Sequence, residues 1–140
     1  MTSRYLFASV LLFGACGAGS KLFTTLNAPP AAGPAEAIAC ARTKLTELSY
    51  RPVAYDETAH RYVARKIDDS VSRPDPQFRR IVNRVEVEAA PGAAGKTDLE
   101  VLGHTLAEYE THRGPTEVEE QASKDVSGAA QAVVAACGQP

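Results

Sequence analysis

The stretch Ile81-Val82-Asn83-Arg84-Val85-Glu86-Val87-Glu88-Ala89 decides the fold. Side chains alternate between the two faces of a strand. Ile81, Asn83, Val85, Val87 and Ala89 fall on one face, and Arg84, Glu86 and Glu88 on the other. An apolar face backed by a charged one suits an antiparallel sheet with one side on a core and one in water. Asn83 is the polar exception on the inward side. Pro91-Gly92-Ala93-Ala94-Gly95 follows as a loop. Beyond it, Thr97 to Tyr109 carries two patterns: Leu99, Val101, Gly103, Thr105, Ala107 and Tyr109 at period two, and Leu99, Leu102, Leu106 and Tyr109 at helical spacing. We read a strand, because a short loop after a strong strand makes a hairpin and Gly103 disfavours a helix interior. The helix remains the alternative.

Upstream, Tyr50 to Tyr55 and Arg61 to Lys66 read as two short strands joined by Asp56-Glu57-Thr58-Ala59-His60. Pro52 confines the first to an edge or to its own start. Ile67 to Arg80 is a polar loop with Pro74 and Pro76, and Phe78 is expected to fold back onto the domain. Pro34 to Leu48 is a helix with Gly33 as N-cap and Pro34 at its first position. Its apolar face is Ala37, Ile38, Ala41, Leu45 and Leu48. At the other end, Thr116 to Cys137 reads as a second helix. Thr116-Glu117-Val118-Glu119 has the form of a capping box, and Gly138 closes the helix. The expected architecture is α+β in two layers, helix–four antiparallel strands–helix, with both helices on one face of the sheet.

The chain has 140 residues and a formal net charge of −2; aromatics are 6% and Trp is absent. One small domain with a core of Ala, Val, Leu and a few Tyr follows, and such a core is thin. Without a basic excess, nucleic acid is excluded as a partner class. The segment 34–140 is read as that single domain.

Ahead of it lies a different kind of sequence. Arg4 is the one charge before Lys21, and Tyr5 to Phe13 is apolar, followed by small residues. A positive start, a short apolar run and a small-residue exit make a secretory signal. The run is short of the ~20 residues that a membrane span needs. Leu12-Phe13-Gly14-Ala15-Cys16 resembles a bacterial lipobox, with Phe13 where that family usually carries Leu. The resemblance implies cleavage after residue 15, lipidation of Cys16 with palmitate among its acyl chains, and, with Gly17 next, an outer-membrane destination facing the periplasm. The rival is ordinary cleavage after Ala18-Gly19-Ser20, which releases a soluble periplasmic or secreted protein. Residues 16–33, with Asn27-Ala28-Pro29-Pro30-Ala31-Ala32-Gly33, read as a flexible tether. As a coil it would reach about 20–25 Å.

Of three cysteines, Cys16 leaves the count under either cleavage. Cys40 and Cys137 remain, on two helices of one layer, in a compartment that permits disulfides. Their bridge would close a loop of about 97 residues, for which chain entropy gives roughly 4–5 kcal/mol. Two buried thiols are the alternative. The order of elements also resembles the small helix-grip-like domains of envelope lipoproteins, including a subunit of the outer-membrane assembly machinery, on architecture alone.

Motifs of chemistry are sparse. Ala90-Pro91-Gly92-Ala93-Ala94-Gly95-Lys96-Thr97 has relaxed Walker A spacing, with Ala90 for the first Gly. A strand after it, a short domain and an exported compartment all point to a hairpin loop instead. His60, His104 and His112 lack tight ligand spacing; His104 with Glu108 or Glu110 is the loosest of metal sets. CxxC, G-x-S-x-G and S-x-x-K are absent. Arg61, Arg65, Lys66, Arg73, Arg79, Arg80 and Arg84 concentrate positive charge in the middle third, against Glu117 to Glu120 later. Such a face suits anionic lipid, lipopolysaccharide or glycan, or is simply solvated.

The sequence reading is therefore a non-enzymatic cell-envelope lipoprotein, a small binding or assembly module without cofactor or metal. It would be held to the membrane through Cys16 and partnered by an envelope protein or glycan. A secreted inhibitor of a hydrolase presenting Asp68 to Arg80 is the alternative, and a metal-dependent envelope hydrolase using His104 is a third.

Overall fold

The computed structural model describes residues 25–28 and 33–138. In chain order these form β1 (Thr25–Ala28), α1 (Pro34–Glu47), β2 (Arg51–Asp56), β3 (Arg61–Asp68), β4 (Phe78–Pro91), β5 (Thr97–Thr111), β6 (Gly114–Glu120) and α2 (Lys124–Cys137). The strands make one antiparallel sheet in the order β1-β5-β4-β3-β2, with β6 also on β5. Residues 1–15, Cys16 and all of the expected tether except Thr25–Ala28 and Gly33 lie outside the described residues.

The β4–β5 hairpin is the spine. Its register sets Val85 opposite Gly103, Val87 opposite Val101 and Ala89 opposite Leu99. These inward residues are buried with α1 and α2 in one core. The α+β, two-layer expectation therefore holds, with both helices on the same face. Thr97, Leu99, Val101, Gly103, Thr105 and Ala107 are all buried at period two, so strand is the correct reading of Thr97 to Tyr109. The loop closes through the Gly92 amide on the Lys96 carbonyl at 2.7 Å. Ala94 and Gly95 sit at φ 55° and 72°, and at Gly95 the missing Cβ makes that conformation inexpensive.

Two strands exceed the expected four. β1 pairs Thr25 to Ala28 with Glu100 to Thr97, inside the segment read as tether. β6 occupies the other half of the same edge of β5, from Thr105 to Thr111. The expected helix from Thr116 is thus corrected: Thr116 to Glu120 is strand, and α2 starts at Lys124. A capping-box pattern is a local signal, and cross-strand pairing overrides it here. Val118 lies opposite Ala107 and Thr116 opposite Tyr109, and β-branched residues suit that pleated surface. The true N-cap is Ser123, whose hydroxyl accepts from the Val126 amide at 3.2 Å.

α1 forms as expected, with Ala37, Ile38, Ala41 and Leu45 buried. Cys40 and Cys137 are bonded, with 5.7 Å between their Cα atoms. Gly103 lets α2 approach β5: a Cβ there would lie 3.2 Å from Val126 Cγ2 and 3.4 Å from the Val126 carbonyl oxygen. On the opposite face of the sheet, Val82 and Leu106 are also buried, although among the described residues no helix lies there. They face each other in register, flanked by Arg80 with Glu108 and Arg84 with His104.

Two glycines make opposite predictions. Gly103→Val should lower stability by about 1–3 kcal/mol through overpacking against Val126. Gly128→Ala, at an open helical position, should raise it by about 0.5–1 kcal/mol. Denaturant melts of both variants read the difference.

Candidate functional site

The N-terminus of α2 is seated on a chain of hydrogen bonds centred on Asn83. Asn83 Oδ1 accepts from Thr105 Oγ1 at 2.9 Å and from Ser123 Oγ at 2.8 Å. Thr105 Oγ1 in turn accepts from the Ser123 amide at 2.9 Å. Asp125, in the first helical turn, accepts from Tyr50 Oη at 2.8 Å and from Lys66 Nζ at 2.9 Å, and Asn83 Nδ2 reaches it at 3.5 Å. Burial and the neighbouring Asp125 carboxylate push the Tyr50 phenol far above its ordinary value, so it stays a donor. The polar inward residue of the founding strand is therefore a structural hub. The Thr105 and Ser123 hydroxyls both donate to the Asn83 oxygen and accept from the backbone amides of Ser123 and Val126, so neither is poised as a nucleophile beside a base.

The basic concentration of the middle third is largely neutralised. Arg61 pairs with Glu86 at 2.6 Å, Arg80 with Glu108 at 3.1 Å, Arg84 with Glu117 at 2.7 Å and Arg79 with Glu110 at 3.7 Å. Lys66 is held by Asp125, and Arg73 grips Glu120 through both guanidinium nitrogens, Nη2 to Oε2 at 2.7 Å. The acids of the capping-box pattern thus have partners distant in sequence: Glu117 pairs with Arg84, Glu119 with His104 and Glu120 with Arg73. Of the seven basic residues, Arg65 alone lacks an ion-pair partner among the described residues.

The other expected residues are dispersed. His104 Nδ1 meets Glu119 Oε1 at 2.8 Å, while Glu108 and Glu110 are taken by Arg80 and Arg79. His112 lies in the β5–β6 turn, and His60 ends the β2–β3 turn at φ 46° with its Nδ1 buried and unpartnered. Among the described residues no three His, Cys, Asp or Glu side chains converge as metal ligands. The Walker-like stretch is the β4–β5 hairpin loop, and no helix N-terminus follows it to hold a phosphate. Asp68 to Arg80 divides: Asp68 ends β3, Phe78 to Arg80 begin β4, and the loop between is pinned. Arg73 donates to Tyr109 Oη at 3.1 Å and lies 4.8 Å over the Phe78 ring. Phe78 folds back edge-on to Tyr109 with ring centroids 5.8 Å apart. Pro74, Asp75 and Pro76 stay exposed beside this clamp.

What remains uncommitted is the β2 edge. All six residues of β2 are exposed, including Val53 and Tyr55. Arg42 of α1 stacks over Tyr55 and Tyr62, 5.1 and 5.8 Å from their ring centres. Arg51 stands directly opposite Arg65 in the β2–β3 register. Neither has an acidic partner among the described residues. Sequence reasoning passed over Arg51, since only the strand register places it against Arg65.

No family model matches the chain, and no curated protein matches it significantly. Among solved structures, the 1.49 Å crystal structure of a DUF4468 family protein from Bacteroides ovatus ATCC 8483 is similar at TM-score 0.41. Identity is 11%, and the match covers 86% of each chain.

The Arg73 clamp holds the Glu120 carboxyl below its ordinary value. A lowered folded-state pKa contributes stability above the unfolded value and loses it as pH falls through the folded one. Glu120→Gln should therefore flatten the loss of stability on acidification below about pH 5, with little change in how stability varies between pH 6 and 8. Thermal melts across that range read it.

Proposed function

We propose that this protein is a cell-envelope lipoprotein whose folded domain is a non-enzymatic binding or assembly module. The Cys40–Cys137 bond carries the reading. Disulfides persist in exported proteins and are rare in reducing compartments, and the Met1 to Cys16 stretch is the means of reaching an oxidising one. Cys16, acylated, anchors the domain at the outer membrane on its periplasmic side. Most of the basic residues of the middle third are committed to ion pairs, which favours binding over turnover. Among the described residues no helix is long and apolar enough to cross a membrane.

The inhibitor reading has one observation in its favour. The loop at 69–77 is held rigid by Arg73 while Pro74, Asp75 and Pro76 face solvent, and a preorganised loop binds at lower entropic cost.

Intact mass of the mature protein, with and without reductant, tests the proposal. The expected species begins at Cys16, carries a diacylglyceryl group and gains two hydrogens on reduction. Cys16→Ala should leave the membrane fraction. A free N-terminus after Ser20 would replace the lipoprotein with a soluble exported protein. Replacing Cys40 and Cys137 together by Ala should cost up to about 4–5 kcal/mol of stability. Pulldown of the acylated protein from envelope extract should recover a specific partner, and an empty pulldown counts against an assembly role.

A further inference from the structure

We propose that the cleft at the open edge of β3 binds a phosphoryl group through Arg51 and Arg65. The pairing of β2 with β3 begins at Arg51 opposite Arg65, but β3 runs on to Asp68. Lys66, Ile67 and Asp68 therefore have no β2 residue beside them. The space left there is a cleft of about 560 Å³ lined by Ser49, Arg51, Arg65, Lys66, Ile67 and Asp69 among others.

Three cations and one carboxylate line this cleft, in a chain whose net charge is −2. The cations are not equivalent. Lys66 is held by Asp125 at 2.9 Å and contributes positive potential from the wall. Arg51 and Arg65 are exposed and have no ion pair among the described residues, although every other arginine of the middle third has found an acid. Like charges directly opposite each other on neighbouring strands destabilise a sheet. An anion between them turns that repulsion into two attractions.

The geometry favours a phosphoryl group over a carboxylate. Each guanidinium is a planar fork that takes two oxygens. A carboxylate that bridges two forks has its two oxygens committed, whereas a phosphoryl group with three or four acceptor oxygens fills both forks and keeps acceptors for the other donors of the cleft. The Ser49 hydroxyl on the cleft wall is a further donor, brought there by a backbone at φ 66° just past α1. Three of the last carbonyls of α1 do not oppose an anion as bare acceptors: those of Lys44, Leu45 and Thr46 accept from the amides of Leu48, Tyr50 and Ser49. Asp69 is the one acid on the rim and sets a limit on affinity.

The cleft lies wholly outside the export segment, so this inference stands whether or not Cys16 is acylated. The phosphoryl group belongs either to a free phosphorylated molecule or to a phospholipid headgroup, and the experiment has an arm for each. The chain from Gly17 onward, exported behind an ordinary cleavable signal, carries no acyl group to confuse the second arm. Inorganic phosphate is titrated in phosphate-free buffer, following the Arg51 and Arg65 resonances by NMR. In parallel the protein is floated with vesicles of phosphatidylglycerol and of phosphatidylcholine. Saturable phosphate binding assigns a free ligand. Flotation with phosphatidylglycerol alone assigns a headgroup. In either arm Arg65→Gln should weaken binding about tenfold or more, and Arg61→Gln, an equal loss of charge outside the cleft, should leave it within about twofold. Arg65→Glu should abolish binding and keep or raise the melting temperature, because it gives Arg51 a partner; this separates loss of binding from loss of fold. Failure of the wild type in both arms, or equal weakening by Arg61→Gln and Arg65→Gln, overturns the proposal.

Discussion

Asn83 is the residue on which the arrangement of layers depends. It is the one polar side chain on the inward face of the central strand, and its oxygen collects the hydroxyls of Thr105 and Ser123. A buried amide without partners costs about 1–3 kcal/mol, so β4, β5 and the start of α2 are mutually committed. Ser123 serves twice, donating to Asn83 and capping the helix at Val126. Asp125 extends the same network to Tyr50 and Lys66. One end of α2 is thereby placed on the sheet by polar contacts. Its other end is placed by the bond from Cys137 to Cys40 of α1. Between these two fixings Val126 closes on Gly103, and Ala129, Ala130 and Val133 are buried in the core.

The outer face obeys a different logic. Among the described residues no helix covers it, yet Val82 and Leu106 are buried there. The ion pairs that surround them, Arg80 with Glu108, Arg84 with Glu117 and His104 with Glu119, are exposed pairs of the kind worth little individually. In the β4–β5 register Arg80 and Glu108 flank Val82 and Leu106 on one side, and Arg84 and His104 on the other. The pairs are not purely superficial, since Arg80 Nε is buried without a hydrogen-bond partner. β6 is part of this arrangement, since Glu117 and Glu119 supply two of its three carboxylates.

These two faces explain which elements were legible in the sequence. α1, β2, β3, β4 and β5 each carry a local pattern that agrees with their tertiary role, and their expected positions differ from the observed ones by a few residues. β6 carries the local signature of a helix start, because Thr116-Glu117-Val118-Glu119 has a capping pattern. Only the partners Arg84, His104 and Arg73, all distant in sequence, reveal those acids as strand residues. β1 was hidden for the opposite reason: four unremarkable residues beside a Pro-rich run pair with an edge that only the folded sheet creates. The role of Asn83 was visible as an anomaly, a polar residue facing inward, but its partners were not. At the candidate site the same limit holds. The cluster of arginines was plain in the sequence, whereas its near-complete neutralisation, and the Arg51–Arg65 pair left over, depend on register.

The covalent link between the helices also decides how the domain carries force. Pulled between Gly33 and Gly138, the chain transmits tension through the first two turns of α1 to Cys40, across the sulfurs, and out through Cys137. Everything from Ala41 to Ala136, including β2 to β6 and nearly all of α2, lies inside the covalent loop and bears none of the end-to-end load. Pulled at those two points, the domain would therefore yield only in its first helix, while β2 to β6 and the edge cleft inside the loop kept their shape.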